Sequence, residues 1–160
     1  MTTLCVKFPA TWPGWSTPEY ILNAVHIPHS NEAIRKLITV SVDPEPHSDY
    51  SSDCPVFRAS LINSPKRKTT VVLKFALRKD FIPYLAEEAE VYSGALKPLQ
   101  GTAVPRYYGL YAGSGEDGEP IACLMLEHWG ECLDQPFKQL PLEMRWVNPC
   151  CVSRPSLIPG

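Results

Sequence analysis

The 160-residue sequence predicts an α+β domain with its elements in the order β-β-β-α-β-β. Three observations predict it. Residues 36–43, Lys-Leu-Ile-Thr-Val-Ser-Val-Asp, alternate and are rich in β-branched side chains, as a half-buried strand requires. Ile82, Leu85, Ala89, Tyr92, Leu96 and Leu99 recur at steps of three and four, so at about 100° per residue they form one helical stripe. Residues 113–118, Gly-Ser-Gly-Glu-Asp-Gly, separate two apolar runs and read as a hairpin turn.

Taken in order, residues 1–35 mix Pro, Trp and His without clear periodicity and read as an irregular arm, with one helical turn near Glu19–Ala24. The strand at 36–43 opens the domain, which runs to residue 134. Pro44–Asp53 is polar and reads as a loop, Pro55–Leu61 as a second strand, and Asn63–Thr69 as a turn. Thr70–Leu77 is a third, buried strand. Asp80 can cap a helix running to about Leu96, with Pro83 tolerated in its first turn. Leu99–Pro105 connects to strands at Arg106–Ala112 and Pro120–Leu126. A connection follows at 135–145, then an irregular Pro- and Cys-rich tail at 146–160.

Composition narrows the function classes. A hydrophobic share of 44% supports a packed core, and the net charge of −2 argues against a nucleic-acid surface. The basic run Lys66-Arg67-Lys68 reads as a solvated turn. No run of about 18 apolar residues is present, so no membrane span is expected. The N-terminus lacks the charged start and apolar stretch of a secretory signal. The six cysteines are therefore read as reduced thiols, in a cytoplasmic or nuclear protein. Cys123, inside an apolar run, is expected to be buried.

The residues that suggest chemistry are few. Lys74 sits inside the apolar strand 70–77, where an ammonium is costly without a charged partner. Its strand face also carries Val72 and Ala76. Glu88 lies roughly 70° from the centre of the helical stripe, at its edge, while Glu87 and Glu90 point away. Of the three acids, only Glu88 can join the buried face and reach a strand lysine. The plain alternative is a lysine that snorkels at a strand edge.

Gly113–Gly118 matches G-x-G-x-x-G, but Glu116 and Asp117 would face any phosphate, and a hairpin is the better account. His26 and His29 read as loop residues rather than metal ligands. Residues 123–130, Cys-Leu-Met-Leu-Glu-His-Trp-Gly, read equally as a core strand entering a turn and as a hinge. As a hinge, the Glu127 carbonyl and the Trp129 backbone N–H would face an adenine edge, and Leu126 would line the back of the pocket.

From about Thr70 to Leu133 the chain resembles the N-terminal lobe of a protein-kinase-like domain. More narrowly, it is similar to the divergent kinase-like proteins numerous in filamentous and mushroom-forming fungi. The resemblance rests on Val71–Ala76, Glu88 with Tyr92, Leu99–Tyr111 and Leu124–Gly130. It implies a five-stranded antiparallel sheet with one main helix. It also implies ATP, with Mg²⁺, bound at Val72, Lys74, Glu88, Leu126, Glu127 and Trp129, with Lys74 on the α/β-phosphates and Glu88 as its partner.

The chain also departs from that family. No glycine occurs from Trp15 to Ser93, so Asp49, Ser51 and Cys54 stand where a glycine-rich loop would lie. Neither an H-R-D-like catalytic loop nor a D-F-G motif follows. The reading is a truncated kinase-like domain without phosphotransfer and with no catalytic residue. A second reading is a non-catalytic module that binds a protein partner through an exposed apolar face on Ile82–Leu99. A third is an unrelated small α+β domain without a ligand.

Overall fold

The computed structural model describes residues 2–9, 19–27, 36–44, 54–62 and 69–130. Among these residues are seven strands: β1 (Thr2–Lys7), β2 (Glu19–His26), β3 (Lys36–Val42), β4 (Val56–Leu61), β5 (Thr70–Ala76), β6 (Tyr107–Ser114) and β7 (Pro120–Glu127). One helix, α1 (Ile82–Ser93), joins β5 to β6.

The strands close into a barrel in the order β1-β2-β6-β7-β5-β4-β3. This corrects the fold class: the expected open, five-stranded antiparallel sheet is instead a closed, mixed, seven-stranded barrel with one short helix. Strands β3, β4, β5, β7 and β6 do pair antiparallel in that sequence. The difference is made by β1 and β2, which pair with each other and cover both edges of that set. β1 runs parallel to β3, with Thr2 beside Lys36 and Lys7 beside Ser41. β2 runs antiparallel to β6, with Asn23 opposite Ala112 and His26 opposite Leu110. Closure removes the unpaired N–H and C=O groups that an open sheet presents.

The helical turn expected near Glu19–Ala24 is likewise corrected to strand β2. The cause is legible in its burial. Leu22 is fully buried and Tyr20 and Ala24 pack on the core, yet the intervening Ile21 and Val25 are apolar and 61% and 63% exposed. Apolar residues on both faces hide the period of two that marks a strand.

The barrel interior is an apolar core. Leu4, Val6, Leu22, Val40, Phe57, Leu73, Phe75, Tyr111, Cys123 and Met125 fill it. At one end Phe8, Phe57 and Phe75 pack edge to face or tilted, with ring centroids 5.2–6.2 Å apart. Cys123 is fully buried and its thiol is unpaired with another cysteine, as are those of Cys5 and Cys54. Two glycines permit the wrapping at β6. A Cβ on Gly113 would lie 2.7 Å from Leu22 Cδ2 and 3.0 Å from the Ile21 carbonyl oxygen on β2. Gly109, at φ 152°, sits at the irregularity in β6 beside the Tyr111 ring.

Helix α1 packs outside the barrel, where Leu85 and Ala89 meet Leu110, Ala122, Leu124 and Leu126 of β6 and β7. It is shorter than the expected Asp80–Leu96. Asp80 lies in a preceding 3-10 turn (Lys79–Phe81), where it pairs with Arg78, and no side chain caps the helix. Gly94 ends it, with its N–H donating to the Glu90 carbonyl at 2.8 Å. Leu96 and Leu99 fall beyond that end. Among the described residues no helix is long and apolar enough to cross a membrane.

Candidate functional site

The candidate site lies on the outer face of the barrel, beside α1. Alternation along β5 sends Val71, Leu73 and Phe75 inward and Val72 and Lys74 outward. The register across β5 and β7 places Leu126 opposite Val72 and Leu124 opposite Lys74. Across β4 it places Arg58 opposite Val72 and Val56 opposite Lys74. Val72 thus sits in a row between Arg58 and Leu126.

Lys74 and Glu88 meet. Lys74 Nζ donates to Glu88 Oε2 at 2.6 Å, bridging β5 and α1, and both side chains are about two-thirds covered (35% and 32% exposed). The geometry follows from the helix position. Leu85 and Ala89 bury the centre of the stripe, and Glu88, one step from Ala89, comes to its edge above the strand. A pair that is about one-third exposed is worth little as stability, because water screens it and two long side chains lose freedom. Its value lies in holding an ammonium at a fixed point beside Val72 and Val56.

A second ion pair lies on the same face. Arg58 Nε donates to Asp43 Oδ2, linking β4 to the residue just after β3. Sequence reasoning missed it. The signal was present: in the 55–61 run, Arg58 falls between the inward Phe57 and Ala59, so alternation alone puts it on the outer face with Val72.

Of the six residues expected in a site, Val72, Lys74, Glu88 and Leu126 are brought together. Glu127, at the end of β7, stands opposite Val71 rather than Lys74. The Glu127 backbone N–H donates to the Arg106 carbonyl at 2.8 Å, and its carboxylate accepts from the Arg106 backbone N–H at 3.2 Å. Trp129 lies two residues past the end of β7 and is half-buried. The positions 49 and 51, expected opposite the phosphates, lie outside the described residues, as do 131–160. His29 also lies outside them, and His26 ends β2. The 113–118 segment forms the β6–β7 hairpin turn, with Gly115 N–H donating to the Glu119 carbonyl at 2.8 Å.

Sequence reasoning also missed a cluster at the C-terminal end of α1. Tyr92 stacks on Tyr107, with centroids 6.3 Å apart, and Tyr107 stacks on His26 at 5.8 Å. Burial pushes the Tyr107 hydroxyl up to about 12 from its usual 10.0, partly offset by a backbone hydrogen bond. Inside the barrel, burial pushes Tyr111 to about 12, and its hydroxyl has no hydrogen-bond partner. Burial likewise raises the Cys123 thiol, so it stays protonated and unreactive.

Among the described residues, no group of three or more His, Cys, Asp or Glu could hold a metal ion. Lys74 offers one cation beside Val72, while Leu126, across from Val72, is buried under α1. Set against models of known families, curated proteins and solved structures, the chain matches none.

Proposed function

We propose that this chain is a kinase-like nucleotide-binding domain that takes ATP on its outer face and does not transfer phosphate. The carrying observation is the 2.6 Å Lys74–Glu88 pair between β5 and α1. In this reading Glu88 orients Lys74, and Lys74 contacts the α/β-phosphates. Val72 packs against the base with Leu126 at the back of the pocket, and the main chain at Glu127 and Trp129 lies along its edge. Arg58, on the same face, is held by Asp43 and borders Val72. Mg²⁺ enters only with the phosphates, since no described donor set holds it.

The proposed lack of turnover in this chain rests on its residues. Catalysis of phosphate transfer needs a base and acids that bind metal, and neither an H-R-D-like nor a D-F-G segment occurs in the sequence. The test is a thermal melt of the full chain with ATP and Mg²⁺. A ligand that binds only the folded state raises the melting point by mass action. A rise in the wild type that vanishes in Lys74→Met supports the reading; equal melts with and without ATP refute it.

A second reading is a module that binds a protein partner without nucleotide. The stripe of Ile82, Leu85, Ala89 and Tyr92 packs on β6 and β7, so it is not the surface such a partner would meet. The observation that favours this reading is a different set: Tyr84, Val91 and Leu99, which are 68%, 49% and 44% exposed.

A further inference from the structure

We infer that the barrel-closing strand β2 fixes the position of α1 through His26, Tyr107 and Tyr92, which makes Tyr107 a positioning residue for the Lys74–Glu88 pair. The inference rests on the reading that this pair is the functional centre.

Tyr92 follows Glu88 by four residues, one helical turn on the same face. Whatever holds Tyr92 therefore holds Glu88. Its ring stacks on Tyr107 and the Tyr107 ring on His26, each with planes 20° apart. Polar contacts lock this column. The Tyr107 hydroxyl donates to the His26 carbonyl oxygen at 3.2 Å and lies 3.1 Å from His26 Nδ1. Gln100 closes the other side. Its amide nitrogen donates to the Tyr92 carbonyl at 2.6 Å, and its amide oxygen accepts from the Tyr107 backbone N–H at 2.9 Å.

The two ends of α1 differ in this respect. The N-terminal end has no side-chain cap. The C-terminal end is tied to β6 by Gln100 and, through Tyr107, to β2. Tyr107 is only 3% exposed, so its hydroxyl cannot exchange its His26 partner for bulk water without a cost. The strand that closes the barrel thereby orients the helix that carries Glu88, on the opposite side of the sheet from the barrel core.

The experiment is zero-length carbodiimide cross-linking of the full chain. The Lys74–Glu88 isopeptide is quantified by peptide mass mapping, below the melting point of every variant. Tyr107→Leu removes both the ring and the hydroxyl, and the yield should fall about fivefold, the population equivalent of one ordinary hydrogen bond. Tyr107→Phe keeps the ring and should recover part of that loss. Val40→Ala, which opens a cavity in the barrel interior, should lower the melting point and leave the yield unchanged. A wild-type yield in both Tyr107 variants, or an equal loss in Val40→Ala, overturns the inference. Cross-linking needs no nucleotide. A protein whose yields follow this pattern but whose melt ignores ATP would therefore keep the positioning role and lose the nucleotide reading.

Discussion

The barrel interior and the layer under α1 are built from opposite materials. Inside, Phe57, Leu73, Phe75 and Met125 pack with no charged residue among the described core, and the Tyr111 hydroxyl has no hydrogen-bond partner. Outside, a small apolar patch around Leu85 and Ala89 is bordered by directional contacts: Lys74 to Glu88, Gln100 to Tyr92 and Tyr107, and Tyr107 to His26. Burial is non-directional and scales with area, so the interior supplies stability. Hydrogen bonds contribute less net free energy but fix distance and angle, so the outer layer supplies geometry. Changes inside should therefore be read in the melt, and changes outside in the site.

The largest effect should come from the interior. Phe75 is fully buried among Phe8, Tyr20 and Phe57, and Phe75→Ala should cost about 3–5 kcal/mol in urea unfolding. A loss under about 1 kcal/mol would mean the barrel is not the stabilising core.

Alkali probes both regions at once. Folding raises Tyr107 and Tyr111 from 10.0 to about 12, so the folded state holds both protons more tightly. Their contribution is complete below pH 10 and is lost as pH rises toward 12, on the order of 2 kcal/mol from each. Urea midpoints measured at increasing pH, with tyrosinate absorbance followed in parallel, should fall through this window. A flat midpoint would show that neither hydroxyl is sequestered.

Closure itself is tested at Gly113. A methyl group there meets the Ile21 carbonyl oxygen, a backbone atom that cannot swing aside, so Gly113→Ala should cost about 1–3 kcal/mol. It should also speed hydrogen exchange in β2 more than in β5; uniform exchange would argue against local opening at the β2–β6 seam. In the opposite direction, Tyr111→Phe removes a buried hydroxyl without a partner, and should raise stability by about 1 kcal/mol and shrink the alkaline loss.

Lys74→Met should have the smallest effect on the melt, within about 1 kcal/mol, since the pair is partly solvated. It should nonetheless abolish any ATP-induced rise in melting point. A large intrinsic loss of stability would instead make Lys74 a structural residue and blur the division between the two regions.

Much of the chain was legible before the structure. The strands expected at 36–43, 55–61, 70–77, 106–112 and 120–126 stand at 36–42, 56–61, 70–76, 107–114 and 120–127. Each carries an alternating or continuous apolar run bounded by turn residues, and such local patterns survive any tertiary setting. Lys74 and Glu88 were legible for a similar reason: a charge in an apolar strand needs a partner, and helical geometry offered one candidate. The Arg58–Asp43 pair was half legible, since alternation gave the face of Arg58 but nothing marked Asp43 as its mate. His26, Gln100 and Tyr107 carried no local signal, because their roles exist only where β2, β6 and the end of α1 converge.

By itself, then, the sequence determined which segments extend, which one coils, and that Lys74 and Glu88 would face each other. Those outcomes depend on side-chain periodicity and on the cost of an unpaired charge, which act over a few residues. Only the tertiary structure decided that residues 2–7 and 19–26 are strands, that the sheet closes, and that β2 reaches Tyr107. With apolar residues on both faces of β2, its pairing depends on what the free edges of β3 and β6 offer, and edges exist only once the rest of the sheet has formed.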